Sequence, residues 1–442
     1  MKKSSIYELD GRVPLKIAIP LGLQHVLSMF VGNVSPLIIV CGLLNIPAQE
    51  KTILIQNAMF IAGLVTLIQL YPIWRVGAKL PIVMGTSSGF LPTIQSAAGI
   101  YGYGAVLGAS LIGALLEIVL GFFVKPLKKI FPPIVTGTVV IAIGLSLIPT
   151  GITFFAGGFG APDFGSASNL FLGTLVIVVI LFFKQFTKGF TSVSAVLIGI
   201  IVGYIVAIFM GKVNFTPVLE ASWFSLPQPF LYKMEFKIQA IIPIAIMYIA
   251  TAVETIGDIS AVTSGGLNRE ATDRELSGGV LADGVGSIIA SFFGVLPNTS
   301  FSQNVGLVGM TKVVNRFSIM TGAIFLILAG FLPKLGAIVS AVPQSVLGGA
   351  TIIMFSMIAI SGMQLIFKEN MYGRNAVIVA VALGFGLGFG SVPDALQYLP
   401  SWVKLIFAQS GIVVSFLIAV ILNLVLPEDK DAFQECREEK FE

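Results

Sequence analysis

Long apolar windows without a charged side chain are the feature that most constrains this chain. Stretches such as Thr191 to Met210 and Asn375 to Pro393 carry no charge, and a helix that crosses a bilayer core needs about 20 apolar residues. Only 11% of the residues are charged, which is less than half of the share in a soluble domain. The sequence therefore predicts an all-α polytopic membrane protein. It lacks the alternating polarity that is typical of a transmembrane barrel.

Apolar runs between charged or Pro/Gly-rich breaks predict fourteen transmembrane segments. They are 16–45, 52–72, 79–100, 103–124, 129–150, 166–184, 191–210, 236–262, 276–294, 300–312, 316–340, 343–364, 375–393 and 408–426. The sequence PIVMGTSSGFLP breaks the third segment, and the tenth is too short and too polar to cross the bilayer alone. These two segments occupy matching places in two halves of seven, and an odd number of segments makes such repeats inverted. Paired, interrupted segments of this kind point to a transporter binding site near the bilayer midplane.

The positions of the basic residues predict the orientation of the chain. With the N-terminus inside, 20 of the 26 lysines and arginines fall in cytoplasmic loops and tails, as the positive-inside rule requires. We therefore expect both termini in the cytoplasm. The predicted organisation is a tail at 1–13, a first repeat at 14–212, an extracytoplasmic loop at 213–235, a second repeat at 236–426 and a tail at 427–442. Residues 1–14 do not resemble a signal peptide, and Cys41 and Cys436 imply neither a disulfide framework nor a metal site.

Four acidic residues lie inside apolar segments, namely Glu117, Glu254, Asp258 and Asp283. A charge in the bilayer centre costs several kcal/mol, so such residues usually face a cavity or a partner. Glu254 and Asp258 are four residues apart, which places them on one face of a helix. Glu254 is the deeper of the two and can serve as a ligand and proton site, or it can form a structural hydrogen bond between helices. For Asp258 the same two interpretations are equally open.

The other buried candidates carry weaker signals. Asp283 has glycine neighbours in GGVLADGVGS, which favours a proton relay over a role in helix packing. Glu117 has aliphatic neighbours in GALLEIVLGF, which favours snorkelling or a hydrogen bond between helices. His25 is the one histidine of the sequence and lies in the repeat mate of the eighth segment. It is either a core residue or part of a site. A single histidine and dispersed cysteines predict no transition-metal site.

The two interrupted segments each predict a short extended piece followed by the start of a helix. GTSSGFLP would place Ser87 and Ser88, and SFSQNVGL would place Ser302, Gln303 and Asn304, near the N-termini of half-helices. Such ends offer free N–H groups and a partial positive charge, and they suit carbonyl oxygens or an anion. Extended backbone at membrane depth is tolerated only within protein or beside a cavity. The alternative is that these polar side chains only join helices.

The segment QNVGLVGMTK fits the signature of the nucleobase–ascorbate transporter family. Gln303, Asn304, Gly306 and Thr311 fill its fixed places, and Lys312 is an accepted last residue. Three further pieces resemble the family and occur in the right order: QH in the first segment, ETIGD in the eighth and GGVLADG in the ninth. We expect the two glycines of the tenth segment, at 306 and 309, to let the half-helix pack closely.

This resemblance implies an architecture and a mode of transport. Family members have fourteen spans in two inverted seven-span repeats, with spans 1–4 and 8–11 in a core domain and spans 5–7 and 12–14 in a gate domain. Short antiparallel strands in spans 3 and 10 hold the substrate between core and gate. Transport resembles an elevator movement of the core. Members are usually homodimers, and bacterial members are proton symporters.

The resemblance also assigns roles to individual residues. Glu254 matches the glutamate that bonds the nucleobase, and Asp283 matches an aspartate needed for transport. Gln303 matches the first signature position, which contacts the base in purine members, whereas uracil members tend to have Glu and ascorbate members Pro. Asn304 and His25 match the motif asparagine and the first-span histidine.

One part of the family pattern is different in this sequence. Ser88 stands where many members carry a phenylalanine that stacks on the base. Phe90 or Phe301 could replace that ring, and the sequence does not decide between them.

These residues predict a proton-coupled permease for xanthine or uric acid in the cytoplasmic membrane. The expected proton-coupling residues are Glu254, Asp283, Asp258 and His25. No cofactor is expected besides a co-transported proton or sodium ion, and no nucleic acid partner. The alternatives are a uracil or broad-specificity nucleobase symporter and an anion exchanger of related fold. A membrane enzyme lacks support, because no metal cluster, nucleophile elbow or phosphate loop is present in the sequence.

Overall fold

The computed structural model describes residues 6–367, 369, 371–399, 407 and 411–427. The helices are α1 (Leu15–Leu43), α2 (Ala48–Leu70), α3 (Leu91–Tyr101), α4 (Tyr103–Phe122), α5 (Val124–Ile130), α6 (Pro133–Phe155), α7 (Ala167–Phe186), α8 (Phe190–Val193), α9 (Ala195–Phe209), α10 (Thr216–Glu220), α11 (Ile238–Leu267), α12 (Asp273–Phe292), α13 (Ser302–Thr311), α14 (Arg316–Ala329), α15 (Pro333–Ser340), α16 (Gln344–Ile366), α17 (Arg374–Ser391) and α18 (Gly411–Val425). A 3₁₀ turn covers Pro393–Leu396, and the strands are β1 (Met84–Thr86) and β2 (Asn298–Ser300). The predicted tail at 427–442, with Cys436, lies outside the described residues except for its first residue.

Eight helices in the described part of the chain are long and apolar enough to cross a membrane, and α14 with α15 makes a ninth if the pair is counted as one span. These two helices meet at a bend of 86°. Each of the fourteen predicted segments coincides with a helix, a helix pair or a strand followed by a helix. The helical class is therefore confirmed. The fourteen-span count, the inverted repeat, the core and gate domains and the predicted domain boundaries stay predictions.

The helices α1 and α11 are longer than the hydrocarbon core of a bilayer is thick. With 29 residues, α1 is about 44 Å long at 1.5 Å per residue, and the hydrocarbon core measures about 30 Å. Helix α11 has 30 residues. A helix of this length must tilt or extend beyond the lipid. These two helices occupy the first place in the two predicted repeats.

Local sequence signals fix the start of α12, the helix that carries Asp283. The hydroxyl of Thr272 accepts a hydrogen bond from the Glu275 N–H, and the Glu275 carboxylate accepts one from the Thr272 N–H. This reciprocal capping box satisfies two N–H groups that a helix start leaves free. Helix α11 ends at Asn268 in the left-handed conformation, which asparagine tolerates better than most residues.

The two strands form one short antiparallel sheet. Met84 pairs with Ser300, Gly85 with Thr299 and Thr86 with Asn298. All six residues are buried, as backbone that is not helical must be at membrane depth. The strand pair implied by the resemblance is thereby confirmed.

The helices pack in two groups. In the first group, α4 lies against α11 and α12, α14 lies against α1 and α2, α13 lies against α11, and α15 lies against α2. In the second group, α16 lies against α6 and α7, and α17 lies along α18. The strand pair belongs to the first group, because β1 contacts α2 and β2 contacts α12.

The long loop between α9 and α11 is bound to helices of the first group. The Gln56 side chain donates to the Ser225 carbonyl at 3.0 Å, and the Gln228 N–H donates to the Asn57 side chain at 3.0 Å. The Lys334 ammonium donates to the Val218 carbonyl at 2.8 Å. From residue 218 onward this loop is therefore attached to α2 and α15.

Just before that point the chain is attached to the second group. The Lys212 ammonium donates to Asp163 and to Asn169 at 2.8 Å each, at the junction of α6 and α7. This hydrogen bond to Lys212 lowers the pKa of the Asp163 carboxyl. Only residues 213–217 separate the two attachments.

Candidate functional site

Side chains of neighbouring helices hold both strands through their first residues. The Met84 N–H donates to the Thr66 hydroxyl of α2 at 2.9 Å, and the Asn298 N–H donates to the Ser287 hydroxyl of α12 at 3.0 Å. At the end of β1, the Thr86 N–H donates to the Asn33 side chain of α1 at 2.8 Å. Water cannot replace such partners at this depth, so these hydroxyls and this amide fix the strands in place.

Each strand is followed by a half-helix. Residues 87–90 separate β1 from α3, which begins at Leu91, and Phe301 separates β2 from α13, which begins at Ser302. The first turn of α13 contributes Ser302 to a cavity that lies between α6, α11, α13 and α16. Free N–H groups of a helix start thus lie beside an open space.

The cavity has a volume of about 210 Å³. Its lining consists of Val140, Glu254, Gly257, Asp258, Ala261, Ser302, Val305, Gly306, Gly309, Ser361, Gln364 and Leu365. It lies where α11 and α13 of the first group face α6 and α16 of the second. Ser361 and Gln364 were not predicted as site residues. The sequence carries little signal for them, because the same helix also carries Gln344, Ser345, Thr351 and Ser356.

Glu254 and Asp258 both line this cavity, which confirms that they share one face of α11. Glu254 is half-buried, and Asp258 is 7% exposed. The Asp258 carboxylate accepts hydrogen bonds from the Ser300 hydroxyl at 2.6 Å and the Ser302 hydroxyl at 2.8 Å. Asp258 therefore joins α11 to β2 and to α13, and Glu254 is the carboxyl that faces the space.

A line of hydroxyl groups runs from Asp258 to the fully buried Asp283. The Ser300 and Thr255 hydroxyl oxygens are 3.3 Å apart, and Thr255 donates a short hydrogen bond to Asp283. The sequence analysis missed Ser300 and Thr255, although Thr255 directly follows Glu254 in ETIGD. This line connects the cavity to α12.

His25 and Asn304 are hydrogen-bonded to each other, and neither of them lines the cavity. The Asn304 side-chain amide donates to the His25 carbonyl at 2.9 Å, and its nitrogen lies 3.0 Å from His25 Nδ1. Both residues are buried. The pair joins α13 to α1. Gln303 is half-buried on the first turn of α13 and is not among the residues that line the cavity. The predicted contacts of these three residues with a substrate stay predictions.

The remaining predicted residues lie around the strand pair. Ser87 is buried and its N–H donates to the Pro297 carbonyl at 2.8 Å, whereas Ser88 is half-buried. Phe90 packs edge-on against Tyr248 with ring centroids 4.6 Å apart. Phe301 fills the space beside Gly32 and Gly85, where an added Cβ would lie within 3 Å of its ring. Neither phenylalanine ring lines the cavity.

The glycines of the signature border open space. A Cβ added at Gly306 or at Gly309 would meet nothing within 4 Å, and both residues line the cavity. Helix α11 approaches α13 at Gly309, because a Cβ added at Gly265 would lie 3.5 Å from the Gly309 Cα. The expectation that both glycines allow close packing of α13 is therefore wrong for Gly306. Their missing side chains leave room in the cavity instead.

Metal binding has no support in the described residues, since they include no group of three or more His, Cys, Asp or Glu side chains that could hold an ion.

Solved structures share this fold. The transmembrane domain of the cyanobacterial bicarbonate transporter BicA aligns with a TM-score of 0.55 at 13% identity, over 94% of this chain and all of that domain. The structure of SLC26A9 aligns with a TM-score of 0.61 at 13% identity, over 92% of this chain and 66% of that one. At this level of identity the likeness concerns the fold alone.

Sequence relatives are much closer. The chain is 38% identical over 429 residues to a Clostridium perfringens protein, provisionally named purine permease CPE0397, covering 97% of this chain and 94% of that one. It is 36% identical over 408 residues to the xanthine permease of Bacillus subtilis, covering 92% of both. It is 34% identical over 438 residues to the xanthine permease XanQ of Escherichia coli, covering 96% of this chain and 94% of XanQ.

The family comparison covers most of the chain. Residues 16–395 match the model of the Permease family, Xan_ur_permease. This range includes both strands, the cavity and all the predicted site residues. The chain belongs to the Permease family, and it is a multi-pass membrane transporter rather than an enzyme.

Proposed function

We propose that this protein takes up an oxidised purine, xanthine or uric acid, together with protons across the cytoplasmic membrane. The observation that carries the proposal is the cavity in which Glu254 faces the start of half-helix α13. Relatives named as xanthine permeases support the purine class. Both termini lie in the cytoplasm in this proposal, and the transporter is a homodimer.

The chemistry of the cavity suits a purine with ring N–H and C=O groups. The Glu254 carboxylate accepts hydrogen bonds from N–H groups, and the first N–H groups of α13 suit a carbonyl oxygen. Gln303 both donates and accepts, so it can pair with an adjacent C=O and N–H once substrate is bound. A site built on such pairs rejects analogues that leave its buried polar atoms unpaired.

Transport proceeds by an elevator movement of a core domain that contains the strand pair, α3 and α13. Two observations support this proposal. The cavity lies between the two groups of helices. In addition, Thr66 of α2 and Ser287 of α12 hold the two strands in the same way, and these helices occupy the second place in the two predicted repeats. This correspondence supports the inverted repeat.

Proton coupling uses the carboxyls that the hydroxyl line connects. Glu254 and Asp258 line the cavity, and Asp283 lies at the other end of the line. A carboxyl that leaves water binds a proton more readily, because burial disfavours its charged form. Substrate and proton can therefore bind within the same part of the molecule.

The test is uptake of labelled xanthine by cells without their own permeases, competed with uric acid, uracil, guanine and ascorbate. We expect competition by uric acid and none by uracil or ascorbate. Inhibition by uracil alone would overturn the purine class and favour a uracil symporter.

The carboxyl role has its own test. Glu254→Gln should lose pH-dependent accumulation while the protein remains in the membrane. Glu220→Gln, at an exposed carboxyl of α10, is the matched control and should transport normally. Undiminished accumulation in Glu254→Gln would remove Glu254 from the mechanism.

An anion exchanger is the second candidate, favoured by the likeness to a bicarbonate transporter. Its site would call for a basic residue near the start of the half-helix. The residues that line the cavity include two carboxyls and no basic side chain. This composition favours the purine substrate.

A further inference from the structure

Glu117 of α4 is a buried carboxyl that the proposed mechanism leaves unused. It is 0% exposed, so the predicted snorkelling is wrong. By strict geometry neither of its oxygens has a hydrogen-bond partner among the described residues, but the Thr251 hydroxyl of α11 is near enough to interact with the carboxyl. The predicted bond between helices therefore stays a prediction. A charged carboxylate in this position would cost several kcal/mol.

Other buried polar groups lie around it. The Tyr248 hydroxyl of α11 is within reach of the Ser110 hydroxyl of α4 and the Ser287 hydroxyl of α12, and the Oδ1 atom of Asp283 on α12 is buried without a partner among the described residues. Glu117 and Asp283 are both fully buried where α4 packs along α12, and each carboxyl opposes ionisation of the other. Native proteins leave few such atoms unsatisfied, and each calls for an explanation.

Close packing of three helices creates this cluster. The Tyr248 ring lies against Gly113, where an added Cβ would be 2.2 Å from it. A Cβ at Gly284 of α12 would be 3.0 Å from the Ala114 carbonyl of α4. Glycines at both contacts bring α11 and α12 against the face of α4 that carries Glu117.

The surrounding charges do not neutralise this carboxyl. The titratable groups of α11 are Tyr248, Glu254 and Asp258, and α12 contributes Asp283. Helix α3 carries Tyr101 at its end. On α5, Lys125 is exposed and pairs with Asp273. The groups that face Glu117 are thus acidic or neutral, and two carboxyls so close together do not both ionise.

We propose that Glu117 and Asp283 form a second proton-binding site, and that this pair carries the proton during transport. This pair would be the proton carrier of the proposed function, on which the proposal therefore rests. With one proton the pair has a charge of −1, which the Tyr248 hydroxyl can stabilise as a donor. A second proton forms an O–H bond on the free carboxylate and makes the pair neutral. The Asp258–Ser300–Thr255 line connects the pair to the cavity.

The first experiment compares Glu117→Gln with the Glu220→Gln control in proteoliposomes. Glu117→Gln keeps the shape of the side chain and removes the titratable group. We expect it to retain counterflow exchange of labelled xanthine, which needs no net proton movement, and to lose xanthine-driven proton influx and the pH dependence of net uptake. Proton influx and a pH profile equal to those of the unaltered protein would overturn the proposal.

Infrared difference spectroscopy measures carboxyl protonation directly. A purely structural role of Glu117 would not change this signal. A pH titration of the unaltered protein should show a protonated carboxyl band that disappears in Glu117→Gln. If Glu117→Gln does not fold, Glu117→Asp serves instead and should shift the band. An unchanged band in the variant that folds would overturn the proposal. Absence of xanthine transport by the unaltered protein would overturn the proposed function, whereas the infrared result would still decide the protonation of Glu117.

Discussion

Substitutions at three glycines distinguish a position that lines the cavity from positions elsewhere in the helices. Gly306 of α13 borders the cavity, and an added Cβ there meets nothing within 4 Å. Gly113 of α4 is packed, with an added Cβ 2.2 Å from the Tyr248 ring. Gly384 of α17 also meets nothing within 4 Å but is not among the residues that line the cavity.

The expected stabilities follow from this geometry. Alanine in place of glycine inside a helix stabilises it by about 1 kcal/mol, so Gly306→Ala should raise the melting temperature slightly. At Gly113 the same gain is opposed by overpacking, which typically costs about 1–3 kcal/mol. Gly113→Ala should therefore melt at a lower temperature than Gly306→Ala. Thermal unfolding of the purified proteins in detergent measures this difference.

Transport should distinguish Gly306, which lines the cavity, from Gly384, which does not. Gly306→Leu places four carbon atoms of side chain in a cavity of about 210 Å³, and we expect it to abolish uptake of labelled xanthine without loss of protein from the membrane. Gly384→Leu adds the same side chain away from the cavity and should transport normally. Normal uptake by Gly306→Leu would show that the cavity is not on the substrate route. A lower melting temperature for Gly306→Ala than for Gly113→Ala would refute the packing argument.

Three further substitutions test other contacts. Asn304→Ala removes two buried hydrogen bonds to His25, so it should destabilise the protein by about 1–3 kcal/mol; an unchanged melting temperature would argue against the pairing of α13 with α1. Thr255→Val keeps the volume of the side chain but breaks the hydroxyl line to Asp283. It should slow proton-driven accumulation and spare counterflow exchange, and equal loss of both would point to a structural defect. Lys334→Met frees the Val218 carbonyl from α15. It should increase protease cleavage near residues 213–217, the stretch between the two attachments of this loop. Cleavage at the rate of the unaltered protein would argue against this attachment.

Local patterns in the sequence predicted the elements and some of the site. Charge-free windows gave the positions of the helices, since a bilayer imposes its own length on apolar segments. GTSSGFLP and SFSQNVGL each predicted an extended piece followed by a half-helix, and β1, α3, β2 and α13 confirm this. The four-residue spacing of Glu254 and Asp258 placed them on one face of α11, because helical periodicity alone fixes it.

Only the tertiary structure decided which polar groups meet. His25 and Asn304 are 279 positions apart and bind each other, and Asp258 receives both of its hydrogen bonds from residues 42 and 44 positions away. The sequence shows that Gly306 has no side chain, but not that its open side faces a cavity. It shows a carboxyl at Glu117, but not that α4, α11 and α12 enclose this carboxyl away from water. Such partners come from distant parts of the chain, so their contacts depend on how the helices pack. The periodicity of one segment does not show which face of another helix will pack against it.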